Sequence, residues 1–296
     1  MNKINKRVKS AIYVRHFESI FKCPTCGSSM KVSESKSLTC SRNHTFDFTK
    51  QGYLNLATNQ MKTKYSRELF EARRKLMTEA DFFDPLIQFI STVINEHSGN
   101  KKDEIAVLDT GCGEGSHLST ICDRLSSDFK KEVMGVGIDI SKEGILTAAK
   151  NYSDKIWSVA DLTNTPFQNG TFDVILNILS PSNYEEFNRL LNTNGLVVKV
   201  VPQSDYLKEL REGLFDDPEK QRYTNAETVK RFNENFHFVD HSRLRYTVNL
   251  DNPFIQALVQ MTPLSWAATN EQVNSFLEKD SAEITVDLDI LIGKKT

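Results

Sequence analysis

The sequence predicts an α/β protein in which a mostly parallel sheet, ending in antiparallel strands, follows a small cysteine-rich domain. From residue 105 to residue 201, short apolar runs alternate with helical segments, as in a parallel sheet covered by helices on both faces. Three of the five cysteines lie between residues 21 and 48. Two long strand-like runs, 242–250 and 284–292, lie near the C-terminus, and we expect them to pair antiparallel.

Each element of the large domain follows from its pattern. Leu69, Ala72 and Leu76 repeat at helical spacing between arginines, which predicts a basic amphipathic helix, and residues 83–97 predict a second helix. Strands are predicted at 105–108, 133–140, 156–160, 172–179 and 196–201, the last after an Asn-Gly turn. Helices between them are predicted to about residue 125, at 142–150 and at 184–191.

Length and composition limit the class of protein. The 296 residues allow one small and one large domain, which we place at 1–60 and 61–296. The chain is 39% hydrophobic and 26% charged, as in ordinary globular proteins. No apolar run approaches the ~18 residues of a membrane span, and none follows the basic N-terminus as in a signal peptide. An odd number of cysteines, five, argues against a disulfide framework, so we expect a reducing, cytoplasmic location.

The formal net charge of −2 conceals an uneven distribution of charge. Residues 1–75 contain sixteen Lys or Arg and five Asp or Glu, a net charge of +11, whereas the remainder contains 21 and 34, a net charge of −13. This asymmetry points to a polyanionic partner at the N-terminal region. A basic surface without a partner is the alternative, because charge reports on association and not on fold.

The cysteine-rich segment has the ligand spacing of a zinc site. Cys23-Pro-Thr-Cys26 is a C-x2-C pair, and Cys40-Ser-Arg-Asn-His44 adds C-x3-H. Zn²⁺ prefers four tetrahedral nitrogen and sulfur ligands, so these four residues predict a closed, structural site around a small hairpin. So short a segment cannot bury a core of its own, and the metal would supply folding energy. The alternative is a chance set of free thiols.

A glycine-rich loop, Asp109-Thr-Gly-Cys-Gly-Glu-Gly115, joins the first predicted strand of the sheet to a helix. Gly111, Gly113 and Gly115 let the backbone approach a ligand closely. Ser116 stands where a dinucleotide fingerprint has its third glycine, so this loop is not built for a pyrophosphate.

An acid stands at the end of each of the first three strands of the predicted sheet. Asp139 is placed to accept from both ribose hydroxyls of a nucleoside, and Asp161 to meet an adenine amino group. Asp109 either orients the loop or meets an amino group of the ligand. Asp139 and Asp161 could instead be turn residues, but their order together with the loop favours a nucleoside site.

The loop and the acids resemble the Rossmann-like S-adenosylmethionine-dependent methyltransferases, over about residues 80–296. With the zinc motif, Gly52-Tyr-Leu-Asn-Leu56, Glu71-Ala-Arg-Arg74 and Met261-Thr-Pro-Leu-Ser-Trp266, nearly the whole chain resembles the RlmA family of 23S rRNA guanine-N1 methyltransferases. The leading residues and Asn177-Ile-Leu-Ser-Pro-Ser182 look more like its Gram-positive branch than its Gram-negative one. The two branches modify neighbouring guanines.

The resemblance implies methyl transfer from S-adenosylmethionine to N1 of a guanine in the hairpin 35 loop of 23S rRNA. It carries the zinc ligands over to the four residues named above, and donor contacts to Gly113 and Glu114. Phe83 and Tyr206 depart from the Tyr and His of the best-known members, although an aromatic ring can still pack the donor. The predicted donor site therefore comprises Phe83, Asp109, Gly111, Gly113, Glu114, Gly115, Asp139, Asp161 and Tyr206. No general base is identified.

Two features have both a functional and a structural interpretation. Asn177 lies where a guanine would enter, so it could bond the guanine edge or cap the strand end. Phe46, Phe48 and Tyr53 lie among cations in the zinc segment, so they could stack on loop bases or form a small core around the metal.

Other functions are weighed against an RNA methyltransferase. One is a methyltransferase for a small molecule or a protein, with zinc only structural, and another is a zinc adaptor without activity. The intact loop and acids disfavour the adaptor, and the basic N-terminal quarter favours RNA. We expect 23S rRNA as the partner and no membrane association. The N-terminal module could also pair with that of a second chain, forming a homodimer with a basic cleft.

Overall fold

The computed structural model describes residues 5–59, 63–97 and 104–295 of the chain. The N-terminal segment forms a three-stranded antiparallel sheet of order β1-β2-β3, and the β1–β2 hairpin confirms the one predicted between the two cysteine pairs. Its elements are α1 (Lys6–His16), β1 (Met30–Ser33), β2 (Ser37–Cys40), β3 (Thr45–Asp47) and the short β4 (Leu54–Asn55).

The rest of the chain forms helices around one large sheet. Its first elements are α2 (Arg67–Glu79), α3 (Asp84–His97), β5 (Glu104–Thr110), α4 (Ser116–Ser127), β6 (Glu132–Asp139), α5 (Lys142–Asn151), β7 (Ile156–Val159), β8 (Phe172–Ile178), α6 (Tyr184–Leu190) and β9 (Leu191–Pro202). They are followed by α7 (Lys208–Leu214), α8 (Pro218–Gln221), α9 (Ala226–Asn235), β10 (His237–Asp251), α10 (Asn252–Met261), α11 (Asn270–Leu277) and β11 (Ser281–Lys294).

The large sheet has the order β10-β11-β9-β8-β5-β6-β7-β4. Strands β4 to β9 are parallel within it, and β11 pairs antiparallel with both β9 and β10. This confirms the predicted mostly parallel sheet with antiparallel C-terminal strands. The strand order reverses between β5 and β8, and the carboxyl edge at such a reversal is where open α/β sheets bind ligands.

The buried faces match the sequence pattern. Leu69, Ala72 and Leu76 of α2 are all buried, as the helical spacing predicts, and Ser66 caps this helix by accepting from the Leu69 N–H. The parallel strands are nearly continuous buried runs; in β7, for example, every residue is buried. Within the described ranges, no helix has the length and apolarity needed to cross a membrane.

Three parts of the structure differ from the predicted elements. Strand β9 starts at Leu191, and residues 192–195, which include the Asn-Gly signal, bulge opposite Asp173. Strand β4, inside the segment predicted as the N-terminal domain, pairs with β7 and extends the large sheet. Helices α1 and α7 to α11 were not predicted, since segments with polar surfaces give a weaker pattern than buried strands.

The N-terminal segment is attached to the large sheet through both backbone and side chains. The Phe21 and Phe167 rings are fully buried with centroids 5.5 Å apart. The Lys22 N–H donates to the Pro166 carbonyl at 3.0 Å, and the Gln168 N–H donates to the Ile20 carbonyl at 2.8 Å. The metal-ligand segment and the large domain therefore share one continuous hydrophobic core.

Removing the buried ring of Phe21 should destabilise the protein. We expect Phe21→Ala to lower the free energy of unfolding by about 3–5 kcal/mol, because it leaves a cavity against Phe167. The measurement is urea unfolding of the zinc-loaded protein followed by circular dichroism. Ile12→Ala is the control: Ile12 is 42% exposed, and its loss should cost less than about 0.5 kcal/mol. Equal effects of the two changes would contradict a stabilising interface.

Candidate functional site

The structure brings the four predicted zinc ligands together. Their ligand atoms all lie within 4.8 Å of one another. The Cys26 and Cys40 sulfurs are 3.7 Å apart, and the His44 Nδ1 is 3.6 Å from the Cys23 sulfur and 3.5 Å from that of Cys40. A tetrahedron with metal–sulfur bonds of about 2.3 Å has edges of about 3.8 Å, so these spacings fit one Zn²⁺.

Two tight turns present these ligands. After Cys23, the Gly27 N–H donates to the Cys23 carbonyl at 2.8 Å, and Gly27 has a φ of +72°. After Cys40, the Asn43 N–H donates to the Cys40 carbonyl at 2.9 Å, and Asn43 has a φ of +63°. Glycine and asparagine are the residues that most readily adopt this left-handed conformation. The local sequence thus shapes both halves of the metal site.

The aromatic residues of the zinc segment mostly form its core. Phe48 is 1% exposed and Tyr53 is 4% exposed, whereas Phe46 is half-buried. A buried ring cannot stack on a base, so the structural interpretation holds for Phe48 and Tyr53.

The glycine-rich loop is held tightly against the ends of β5 and β6. The N–H groups of Gly111 and Cys112 both donate to the Ile138 carbonyl, at 2.9 and 3.0 Å. A Cβ at Gly115 would lie 2.5 Å from the Trp157 ring, and one at Gly113 would lie 3.2 Å from the Phe70 ring. With φ between +58° and +85°, Gly111, Gly113 and Gly115 take a path that side chains would block.

Three predicted acids lie around this loop. Asp139 accepts from the N–H groups of Gly113 at 2.8 Å and Ser141 at 2.7 Å. Glu114 is 1% exposed and accepts from the Ser116 hydroxyl at 2.5 Å. Asp109 is 2% exposed, and among the described residues no donor binds its carboxyl. The site therefore concentrates negative charge away from water.

The pKa of each of these acids is raised. Burial raises the pKa of Asp109 to about 7; the Arg73 guanidinium opposes this rise, and the charges of Asp139 and Glu114 add to it. Burial also raises the pKa of Glu114 and of Asp139. Buried carboxylates of this kind are stabilised by a cation, so the site suits a ligand with an ammonium group.

Arg73 of α2 reaches this site, which the sequence analysis did not anticipate. Its Nε lies 3.7 Å from Glu114 Oε1, and its Nη2 donates to the His117 Nδ1 at 3.1 Å. Burial and the Arg73 charge lower the pKa of His117 well below its usual value, so the imidazole is neutral with its proton on Nε2. The helical spacing could have predicted this position. Arg73 is four residues after Leu69 and three before Leu76, so it lies on the buried face of α2.

Phe83 and Tyr206 lie beside the same pair. Phe83 is 2% exposed, and its ring meets the His117 ring edge-on at 5.2 Å. Burial raises the pKa of the half-buried Tyr206, and the nearby Arg73 charge opposes that rise. The predicted residues therefore gather around one edge of the sheet, with Arg73 and His117 added.

Asp161 has a structural role at the end of β7. One of its carboxyl oxygens accepts from the Thr163 N–H at 2.8 Å, and its carbonyl accepts from Asn164. These bonds support the interpretation of Asp161 as a turn residue. Its contact with an adenine amino group stays a prediction.

Asn177 caps a strand end and is not available to a guanine. It is fully buried, and its Nδ2 donates to the Ser180 hydroxyl at 2.7 Å and the Pro181 carbonyl at 2.8 Å. Its Oδ1 accepts from the Ser182 hydroxyl at 2.9 Å and from Lys199 Nζ at 2.6 Å. The structure therefore supports the structural alternative for this residue.

Lys199 is a second residue that the sequence analysis missed. It lies on β9, is 3% exposed, and donates to Asn177 Oδ1 and the Ser182 hydroxyl, both at 2.6 Å. Burial lowers its pKa to about 8. The sequence feature that could have identified this residue is a single lysine within the apolar run 196–201. Lys199 fixes the segment that follows β8 at the carboxyl edge.

Comparison with known proteins gives relatives along nearly the whole chain. Residues 21–65 match the family model described as RlmA, N-terminal, and residues 107–195 match a methyltransferase domain. YxjB of Bacillus subtilis, named as a candidate 23S rRNA (guanine-N1)-methyltransferase, is 48% identical over 279 residues, 94% of this chain and 98% of YxjB.

Two further proteins are more distant relatives. The 23S rRNA (guanine(748)-N1)-methyltransferase of Streptomyces fradiae is 29% identical over 246 residues, 83% of this chain and 85% of that protein. A candidate 23S rRNA (guanine-N1)-methyltransferase of Micromonospora griseorubida is 26% identical over 292 residues, 92% of this chain and 96% of that protein.

The metal site makes a direct prediction. The purified protein should contain about one Zn per chain by elemental analysis, and Cys26→Ser should lose it because three ligands bind zinc much more weakly than four. Cys122→Ser is the matched control, since Cys122 is a buried thiol of α4 outside the cluster, and it should keep the metal. A folded wild-type protein without zinc would contradict the site.

Proposed function

The chain belongs to the RlmA family of 23S rRNA (guanine-N1)-methyltransferases, and we propose that it transfers the methyl group of S-adenosylmethionine to N1 of a guanine in the hairpin 35 loop of 23S rRNA. The observation that carries the proposal is the glycine-rich loop with its buried acids at the reversal point of the sheet. Because the Streptomyces relative is named for guanine 748, we propose the guanine at that position.

The residues present fit S-adenosylmethionine. The loop backbone offers a surface without side chains, and Asp109 offers a buried carboxyl to the donor's ammonium group. Each oxygen of Asp139 has a further lone pair beyond its bond to Gly113 or Ser141, so the carboxylate can also accept from ribose hydroxyls. Rings at Phe83 and Tyr206 pack the donor. When bound, the donor supplies a methyl group activated by a positively charged sulfur.

The chain's own residues must position a guanine and allow its N1 proton to leave. Guanine N1 is protonated at neutral pH, so the proton departs before or during attack. Holding the two reactants in line supplies much of the rate enhancement, and a base in a hairpin loop is easily unstacked. Lys199 and Asn177 contribute by fixing residues 180–182 at the edge where the guanine enters.

Exposed cations and aromatics support an RNA substrate. Cations of the N-terminal segment are exposed around the zinc ligands and on α1: Lys6, Lys9, Arg15, Lys31, Lys36, Arg42 and Lys50. Tyr65 and Trp266 are 41% and 48% exposed, with ring centroids 5.6 Å apart. Tyr65 also contacts Phe70, which lies against Gly113 of the donor loop. Such rings are suited to stacking on loop bases.

A methyltransferase for a small molecule or a protein is the alternative function. A small substrate gains nothing from exposed cations spread over the zinc segment, whereas RNA does. Because the proposed substrate is rRNA, we also propose a cytoplasmic location. We further propose a homodimer in which the N-terminal segments of two chains form a basic cleft.

The function is tested by methyl transfer from labelled S-adenosylmethionine to synthetic RNA. Hairpin 35 RNA should accept label, with N1-methylguanine found at the proposed position by mass spectrometry. The same hairpin with adenine at that position should not, and a 23S hairpin of equal length from another region is the control. Transfer to a small metabolite but to no rRNA fragment would reject the proposal.

Donor binding should depend on pH through Asp109, which faces Arg73, Asp139 and Glu114. Since its pKa is about 7 in the free protein, the carboxyl is protonated at pH 6 and must lose that proton to pair with the donor's ammonium group. Affinity for S-adenosylhomocysteine should therefore rise about fivefold from pH 6 to 7 and about twofold more from pH 7 to 8, and level off above pH 8.

The measurement is isothermal titration calorimetry at pH 6, 7 and 8 in buffers with different ionisation enthalpies. It should detect proton release at pH 6 in the wild type. In Asp109→Asn the release should be absent and the affinity lower at pH 8. A wild-type affinity that does not change between pH 6 and 8 would contradict this role for Asp109.

A further inference from the structure

Arg73 is a cation placed among buried acids. Besides its contact with Glu114, its Nη1 lies 3.3 Å from the position that a Cβ at Gly113 would occupy, so the guanidinium rests against the loop backbone. Its charge opposes the raised pKa of Asp109, Glu114 and Asp139 and of Tyr206. The arginine therefore lies at the centre of the predicted donor site.

His117 has a buried hydrogen-bond donor without an acceptor. Its Nδ1 accepts from Arg73, which leaves the proton on Nε2, and within the described part of the chain that Nε2 has no partner although the residue is 2% exposed. An unpaired buried donor is destabilising, and such groups call for an explanation. The two nitrogens point to opposite sides of the ring, so Nδ1 holds the guanidinium while Nε2–H faces away from it.

The methionine part of the donor carries both an ammonium group and a carboxylate on one carbon. The acids around the loop suit the ammonium group, but they repel a carboxylate. A carboxylate buried near other carboxylates needs a cation and hydrogen-bond donors of its own. Arginine provides two parallel N–H donors for this purpose.

We propose that Arg73 binds the α-carboxylate of S-adenosylmethionine and that His117 positions its guanidinium. This inference rests on the proposed function, because it presumes that the chain binds this donor. Arg73 then lies between two anions, Glu114 of the loop and the carboxylate of the ligand. His117 orients the guanidinium by accepting from it through Nδ1.

The test compares two ligands that differ only in this carboxylate, S-adenosylmethionine and decarboxylated S-adenosylmethionine. Their dissociation constants are measured by calorimetry with the full, zinc-loaded chain. The wild type should prefer the carboxylate form by about 10- to 100-fold, as a charge-assisted pair allows. Arg73→Gln should abolish most of this preference, and His117→Phe should reduce it by about three- to tenfold.

Arg67→Gln is the matched control. Arg67 lies on the same helix, and its side chain is 51% exposed and paired with Glu71, so the preference should stay at the wild-type value. Binding of the decarboxylated ligand by Arg73→Gln shows that the variant is folded.

The inference is overturned if Arg73→Gln keeps the full preference, or if it weakens both ligands equally. Equal weakening would mean that Arg73 only neutralises Glu114. These outcomes are separate from the fate of the proposed function. A wild type that binds the donor with the expected preference but methylates no rRNA would reject the substrate and leave the carboxylate site intact.

Discussion

The path of the backbone between β5 and α4 is the constraint on which the rest of the site depends. It passes between the Trp157 ring on one side and the Phe70 ring of α2 on the other. A Cβ at Gly144 of α5 would lie 2.8 Å from the Gly113 carbonyl, so that helix also approaches the loop backbone directly. Only glycines at these positions allow β7, α2 and α5 to approach the loop so closely. The same region brings together Asp109 of β5, Glu114 of the loop and Asp139 of β6.

Burying these acids requires compensation, and the structure provides it in two ways. Asp139 and Glu114 accept hydrogen bonds from backbone N–H groups or from a serine, which favours their charged forms. Arg73 supplies an opposite charge from a different part of the chain. Asp109 accepts no hydrogen bond among the described residues, so the Arg73 charge is its only compensation, and burial raises its pKa to about 7. This acid lies at the start of the ligand loop.

The sequence predicted those features that depend on local spacing. Apolar runs determined the parallel strands, and the C-x2-C and C-x3-H pairs determined the metal ligands, because in both cases the required geometry extends over a few residues. The contacts of Asn177 and Lys199 could not be predicted, since they join β8 to β9 through side chains 22 residues apart in sequence. Arg73 was counted with the basic surface of the first 75 residues, but it points inward, because a charge count by position does not give the direction of a side chain.

The boundary between the zinc segment and the large domain shows why such long-range contacts matter. The zinc segment meets the chain just after Asp161, through the backbone bonds of Lys22 to Pro166 and of Gln168 to Ile20. Strand β4 also extends the sheet beside β7, the strand that ends before Asp161. A zinc segment that moved as a separate body would have to break these bonds and expose Phe21 and Phe167. The metal therefore stabilises more than its own short segment, because the turn at the end of β7 is packed against the fold that the metal holds together.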